Sequence, residues 1–171
     1  MRMNEDRLYD AVLATPVEVQ DLAAGDIFWG ATRAMVYGTV FALVVAAFGL
    51  ISSPWALLIP LFVFIGGLCF STIGYAFTSL VGRIDFYSYY FTLGVTPMFL
   101  FSGIFFPFTD LPSWVEVVAW FSPLYHLVEI TRGLATDPQA DQIALHAVWL
   151  LVVSLALFPI PVRALRRRLL A

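Results

Sequence analysis

From Ala34 to Gly82 the chain carries no formal charge and consists mostly of Val, Leu, Phe, Ile, Ala and Gly. At about 1.5 Å per helical residue that run extends roughly 70 Å, more than twice the ~30 Å hydrocarbon core of a bilayer. It must therefore fold back once, and Ser52-Ser53-Pro54 near its middle supplies the turn. Residues 86–109 are also uncharged, as are residues 142–162, which contain one neutral His146. The pattern predicts four spanning helices, at about 29–51, 54–81, 86–106 and 140–162. The fold class it points to is an all-α, polytopic membrane protein whose residues 1–171 form one transmembrane domain.

Two regions break the apolar pattern. Residues 4–27 are too polar to cross, with Glu5, Asp6, Asp10, Glu18, Asp21 and Asp26. Leu8, Tyr9, Val12 and Leu13 make an apolar stripe at i, i+4 spacing. Thr15-Pro16-Val17-Glu18 then reads as a capping box, with Thr15 as N-cap and Pro16 at the first helical position. An amphipathic surface helix, a break at Thr15-Pro16 and a second helix leading into the first span are expected. The other irregular region is 107–136. Leu111–Phe121 and Pro123–Leu134 are each too short to span, and Ser122-Pro123 between them reads as a cap followed by a first helical position. Thr136-Asp137-Pro138 reads as a start signal for the last span. The pair is expected to form a re-entrant hairpin that enters the outer leaflet and returns.

Composition and charge narrow the function. Hydrophobic residues make up 61% of the chain and charged residues 12%, against roughly 25% charged in an ordinary globular domain. All nine basic residues are Arg. Without any Lys a Walker phosphate loop cannot be built, so ATP used in this protein's work is bound by another chain. Arg163, Arg166, Arg167 and Arg168 follow the last span and place the C-terminus in the cytoplasm, as a basic tail at 163–171. Counting back across four spans puts the N-terminus, with Arg2 and Arg7, and also Arg83, on that same side, and Arg132 outside. The plasma (inner) membrane is the expected location. A membrane-embedded enzyme is disfavoured, because the spans hold no paired carboxylates, His cluster or nucleophile–base spacing. Cys69 and His146 each stand alone, without metal-ligand partners at suitable spacing. Nothing in the sequence points to nucleic acid.

The order of these segments resembles a known family. Ala11-Val12-Leu13-Ala14-Thr15-Pro16 precedes the first span, and Arg83-Ile84-Asp85 follows the second. The string from Thr96-Pro97-Met98-Phe99 through Gly103-Ile104-Phe105-Phe106-Pro107, Leu111-Pro112-Ser113-Trp114 and Ser122-Pro123-Leu124-Tyr125-His126 to Arg132 carries most of the likeness. The chain is similar to ABC-2 type exporter membrane subunits, of the nodulation-type lipooligosaccharide and drug permease kind. That resemblance implies two permease subunits, a homodimer or a pair, around a substrate path, with ABC ATPase subunits below that hold ATP and Mg. It implies no cofactor on this chain. It also implies that Leu8–Thr15 is the coupling helix, so Leu8, Tyr9, Val12, Leu13, Thr15 and Pro16 would meet the ATPase. Family members carry two further spans ahead of that helix. A truncated or mis-started gene product, or a fragment, is the expectation that follows, either exporting or serving only as a structural partner or remnant.

Further residues have two readings each. The coupling segment could lie on lipid headgroups, but its polar positions are mainly acidic, which suits a protein partner better than an anionic leaflet. Phe105, Phe106, Pro107, Trp114 and Trp120 could form an aromatic belt at the outer interface or a plug over the exit. Glu129 and Arg132, spaced i, i+3 with His126 three residues earlier, suggest a local salt bridge or a contact to a polar substrate headgroup. Arg33 near the mouth of the first span suits snorkelling or an anionic ligand. Gly66, Gly67, Ser71 and Gly74 have the spacing that lets helices approach closely, most simply within one subunit.

Overall fold

The computed structural model describes residues 19–81, 86–104 and 113–169. Its order is α1 (Val19–Ala47), a 3-10 turn (Pro54–Leu58), α2 (Ile59–Leu80), α3 (Phe86–Tyr89), a π-helical segment (Tyr90–Val95) and α4 (Thr96–Leu100). Then come α5 (Ser113–Trp120), α6 (Pro123–Ala135), α7 (Ala140–Leu157) and α8 (Pro159–Leu169). The described residues contain no strand.

The separate connector and first span expected from the sequence are one helix here. Nothing between Val19 and Ala47 breaks it. It ends in a Schellman arrangement: Gly49, at φ +71, donates to Ala46, and Leu50 donates to Val45. The turn at Ser52-Ser53-Pro54 is present, with Ser53 Oγ accepting from Trp55 N at 3.3 Å. The backbone amides of Ser52 and Ser53 donate to the Ala135 carbonyl, at 3.0 and 3.3 Å. That pair of bonds ties the α1–α2 turn to the end of α6.

Helix α2 is the centre of the bundle. It packs along α1 and also against α6, α7 and α8. Ile59 and Cys69 join Ile130, Leu134, Ile143, Ala147 and Leu150 in the main buried cluster. Small residues set the α1–α2 spacing. A Cβ on Gly67 would lie 2.9 Å from Ala31 Cα, and one on Gly30 would collide with the Ser71 hydroxyl. Gly66 instead faces the Leu127 side chain of α6. Of the small residues expected to permit close approach, Gly66, Gly67 and Ser71 do so within one chain, whereas a Cβ on Gly74 would meet only the Tyr90 hydroxyl, at 3.9 Å.

The outside is as apolar as the inside. Phe41 of α1 is 71% exposed, Leu57 86% and Leu155 73%. Water would not leave such helices separate, but lipid requires no burial of them. Hydroxyls on these surfaces are satisfied within their own helix: Thr32 donates to Phe28 O, Thr39 to Met35 O and Thr78 to Gly74 O.

Among the described residues, three helices are long and apolar enough to cross a membrane: Gln20–Ala47, Pro54–Leu80 and Ala140–Ala164. The fourth expected span, 86–106, is helical only from Phe86 to Leu100 among the described residues. That is roughly 22 Å at about 1.5 Å per residue, short of the ~30 Å core. Pro97 explains its irregular winding. A proline ring would clash with the carbonyl four residues back, at Leu93. The chain widens into a π turn instead, and both the amide and the hydroxyl of Thr96 reach back to Phe91 O. The last long apolar stretch is divided at Phe158, where α7 ends and Pro159 opens α8.

Candidate functional site

The α5–α6–α7 hairpin gathers most of the polar chemistry among the described residues. α6 opens with Ser122 as N-cap and Pro123 at the first position, although the Ser122 Oγ is buried without a hydrogen-bond partner. Its buried stripe is His126, Ile130 and Leu134, at i, i+4, i+8, together with Pro123. α7 begins after a Gln139 N-cap, so the predicted start at Thr136-Asp137-Pro138 falls instead on the turn, with Thr136 closing α6. Its buried face is Ile143, His146, Ala147, Leu150 and Ser154.

Two histidines meet where these stripes face each other. His126 Nδ1 lies 2.6 Å from His146 Nδ1, and His126 Nε2 lies 2.7 Å from the Trp120 carbonyl. His146 is therefore not alone, contrary to the sequence expectation. The His126 ring stacks on Trp149, with centroids 4.0 Å apart at 24°, and meets Trp120 edge-on at 5.4 Å. His126 is fully buried. Burial lowers its pKa below the ordinary imidazole value, the bond to Trp120 O opposes that shift, and the neighbouring His146 adds to it.

These contacts fix the tautomers. A carbonyl only accepts, so His126 Nε2 carries the proton and its Nδ1 is the acceptor. His146 must then donate from Nδ1, which leaves its Nε2 a bare acceptor. Among the described residues that nitrogen has no hydrogen-bond partner, and the ring is only 9% exposed. Among those same residues no group of three or more His, Cys, Asp or Glu could hold a metal ion.

Glu129 and Arg132 pair at 3.1 Å, as their spacing suggested. Arg132 also donates from Nη2 to Gly103 O at 3.0 Å. Gly103 adopts φ +75, a conformation open to glycine, and its carbonyl links the chain after α4 to α6. The sequence put His126 on one face with this pair, but the i, i+4 stripe turns His126 into the core instead.

Arg132 stands between two cavities. One, of about 150 Å³, is polar and is lined by Glu129, Arg132, Thr136, Asp137, Gln139, Gln142 and His146, with Gly133 and Ile143. The other, of about 360 Å³, is apolar and lies among Phe41, Val45, Ile59, Val63, Ile104, Val128 and neighbours, again with Arg132.

Of the other expected site residues, Trp114 is exposed on α5, and Trp120 belongs to the aromatic cluster around His126. Arg33 is exposed on α1. Leu8, Tyr9, Val12, Leu13, Thr15 and Pro16 lie outside the described residues, as do Phe105, Phe106 and Pro107. The histidine pair was missed, though one signal for it existed. In an antiparallel helical hairpin, residues equidistant from the turn face each other, and His126 and His146 are equidistant from Thr136.

Long apolar helices that expose their hydrophobic faces, joined by short connections, define a polytopic helical membrane protein. The sequence profile of the ABC-2 type transporter family matches residues 1–135, and the chain belongs to that family. It is 34% identical over 171 residues to Nodulation protein J of Rhizobium leguminosarum bv. viciae, covering 99% of this chain and 65% of the relative. To Nodulation protein J of Sinorhizobium fredii it is 31% identical over 170 residues, with the same coverage. To the Escherichia coli protein named Probable multidrug ABC transporter permease YbhR it is 26% identical over 164 residues, covering 91% of this chain and 42% of that one. The chain thus spans about 65% of the length of the nodulation proteins it matches. No solved structure matches it significantly.

Proposed function

We propose that this chain is the membrane permease subunit of an ABC-2 exporter that moves an amphiphilic substrate outward. The substrate would be a lipooligosaccharide, polysaccharide, lipid or drug, driven by ATP hydrolysed on a separate ATPase subunit. Membership of the ABC-2 type transporter family, matched over residues 1–135, carries this reading. The absence of lysine supports it, since these 171 residues cannot build the P-loop that binds ATP. The partners are an ABC ATPase at Leu8–Pro16 and a second permease subunit, in the inner membrane with both termini cytoplasmic. That orientation requires the segment beginning at Phe86 to cross with the residues after Leu100.

The test is co-purification with an ABC ATPase, followed by ATP-dependent movement of a fluorescent amphiphile in reconstituted vesicles. Tyr9→Ala and Leu13→Ala are expected to reduce the amount of ATPase recovered. Unchanged recovery with both variants would remove the coupling assignment, and transport that is independent of ATP would remove the exporter.

A further inference from the structure

We propose that the two cavities meeting at Arg132 form one bipartite site for an amphiphile with an uncharged, hydroxyl-rich head. The head occupies the polar cavity between α6 and α7, and the tail lies in the apolar groove bounded by α1, α2 and α6. Calling this ligand the transported substrate rests on the export reading; the site itself does not.

The head's chemistry follows from what lines the polar cavity. Glu129 and Asp137 supply acceptors, and so does His146 through the Nε2 that its bond to His126 leaves bare. Arg132 supplies donors, and Gln142 supplies both. Two carboxylates against one guanidinium leave an excess of negative charge, which repels a phosphate or sulfate head. A phosphate could use only the donors, and an ammonium only the acceptors. Hydroxyl groups donate and accept, so of these three heads they match the whole lining. The His146 residue is mostly buried and lines this cavity, so its Nε2 is available there to accept from a ligand hydroxyl.

The tail's place follows from continuity. Arg132 lines both cavities and is fixed between them by Glu129 on one side and Gly103 O on the other. A molecule with its head beside Arg132 therefore has an apolar groove adjoining it. The groove is more than twice the volume of the polar cavity, as suits a chain longer than its head.

Binding is measured on the full chain in lipid nanodiscs without any ATPase, using radiolabelled dodecyl maltoside below its micellar concentration. Saturable binding displaced by unlabelled dodecyl maltoside, and not by dodecyl phosphate or dodecylammonium, is expected. Gln142→Ala and Asp137→Asn, both at exposed positions, should each weaken it about five- to tenfold, the weight of a hydrogen bond involving polar or charged groups. On the unaltered chain, octyl maltoside should compete more weakly than dodecyl maltoside. Equal displacement by either charged head overturns the proposal, as does binding that both variants leave intact or that is insensitive to tail length. Specific binding without ATP-driven export would overturn the export reading alone, and export without this binding would overturn the site alone.

Discussion

Two helix pairs in this protein are held together by opposite means. α1 meets α2 through small residues that let backbones touch: Gly67 against Ala31 and Ala34, Gly30 against Ser71, Gly38 against Val63. α6 meets α7 through imidazole–imidazole and imidazole–indole contacts, beside a polar cavity. In lipid, apolar surface drives no association between helices, so a pair without polar groups depends on shape alone. The second pair adds directional bonds, which fix register and leave functional groups aimed at a ligand-sized space. The first interface is built to hold, and the second to hold while presenting chemistry.

The largest expected effect tests whether the imidazole pair really clamps α6 to α7. His126→Ala removes two hydrogen bonds and the stack on Trp149 from a fully buried position. A loss of about 3–5 kcal/mol is expected, read as a lowered melting temperature in detergent. His126→Phe keeps a ring for Trp149 but leaves Trp120 O and the His146 N–H unpaired, at about 1–3 kcal/mol each. If His126→Phe melts with the wild type, the clamp is packing and the contrast with α1–α2 disappears.

The shape-only interface should break on size. Gly67→Leu drives a side chain into the Ala31 backbone and is expected to cost about 1–3 kcal/mol or more. Gly25, on the same α1, has nothing within 4 Å of an added Cβ. Gly25→Leu should change stability by no more than about 0.5 kcal/mol. Equal melting shifts for the two would mean that α1 does not pack on α2 through its glycines.

Acid should distinguish the pairs as well. The His126 pKa falls from 6.5 in its ordinary state to about 4 in the fold, first because of burial. A base whose folded pKa is depressed binds fewer protons folded than unfolded across that window, so its stabilisation is present above pH 6.5 and lost as pH falls towards 4. Melting temperature should decline over that range in the wild type and much less in His126→Phe. The Gly67 contacts have no titratable member, so Gly67→Leu should keep the wild-type slope.

How far the sequence disclosed these features depends on the kind of contact. The long apolar helices were legible because lipid demands unbroken runs of apolar residues, and Ala34 to Gly82 provides one with its turn marked by Ser53-Pro54. The Glu129–Arg132 pair was legible because i, i+3 neighbours on one helix need no tertiary information. The π turn was not, since Pro97 announces a disturbance without saying how the backbone absorbs it. Nor was the histidine pair, because two helices must dock before residues 20 positions apart touch. The polar cavity needed that docking too: Asp137 looks like an ordinary turn residue, and Gln142 like an ordinary residue of a helix's first turn, until α7 folds back on α6.

The smallest expected effect falls on the charge pair at the edge of the cavity. Glu129 and Arg132 are both partly exposed, at 28% and 50% of their side-chain surface, and such pairs contribute about 0–1 kcal/mol. Glu129→Gln should therefore leave the melting temperature nearly unchanged, with Arg132 still anchored on Gly103 O. Arg132→Gln loses that anchor as well, so it should lower the melting temperature slightly more than Glu129→Gln does. A large loss from Glu129→Gln would show that the pair is a structural tie of the same order as the histidines. A null result would leave Glu129 free to act on whatever enters the cavity, the division of labour that separates the α6–α7 interface from the glycine-packed one.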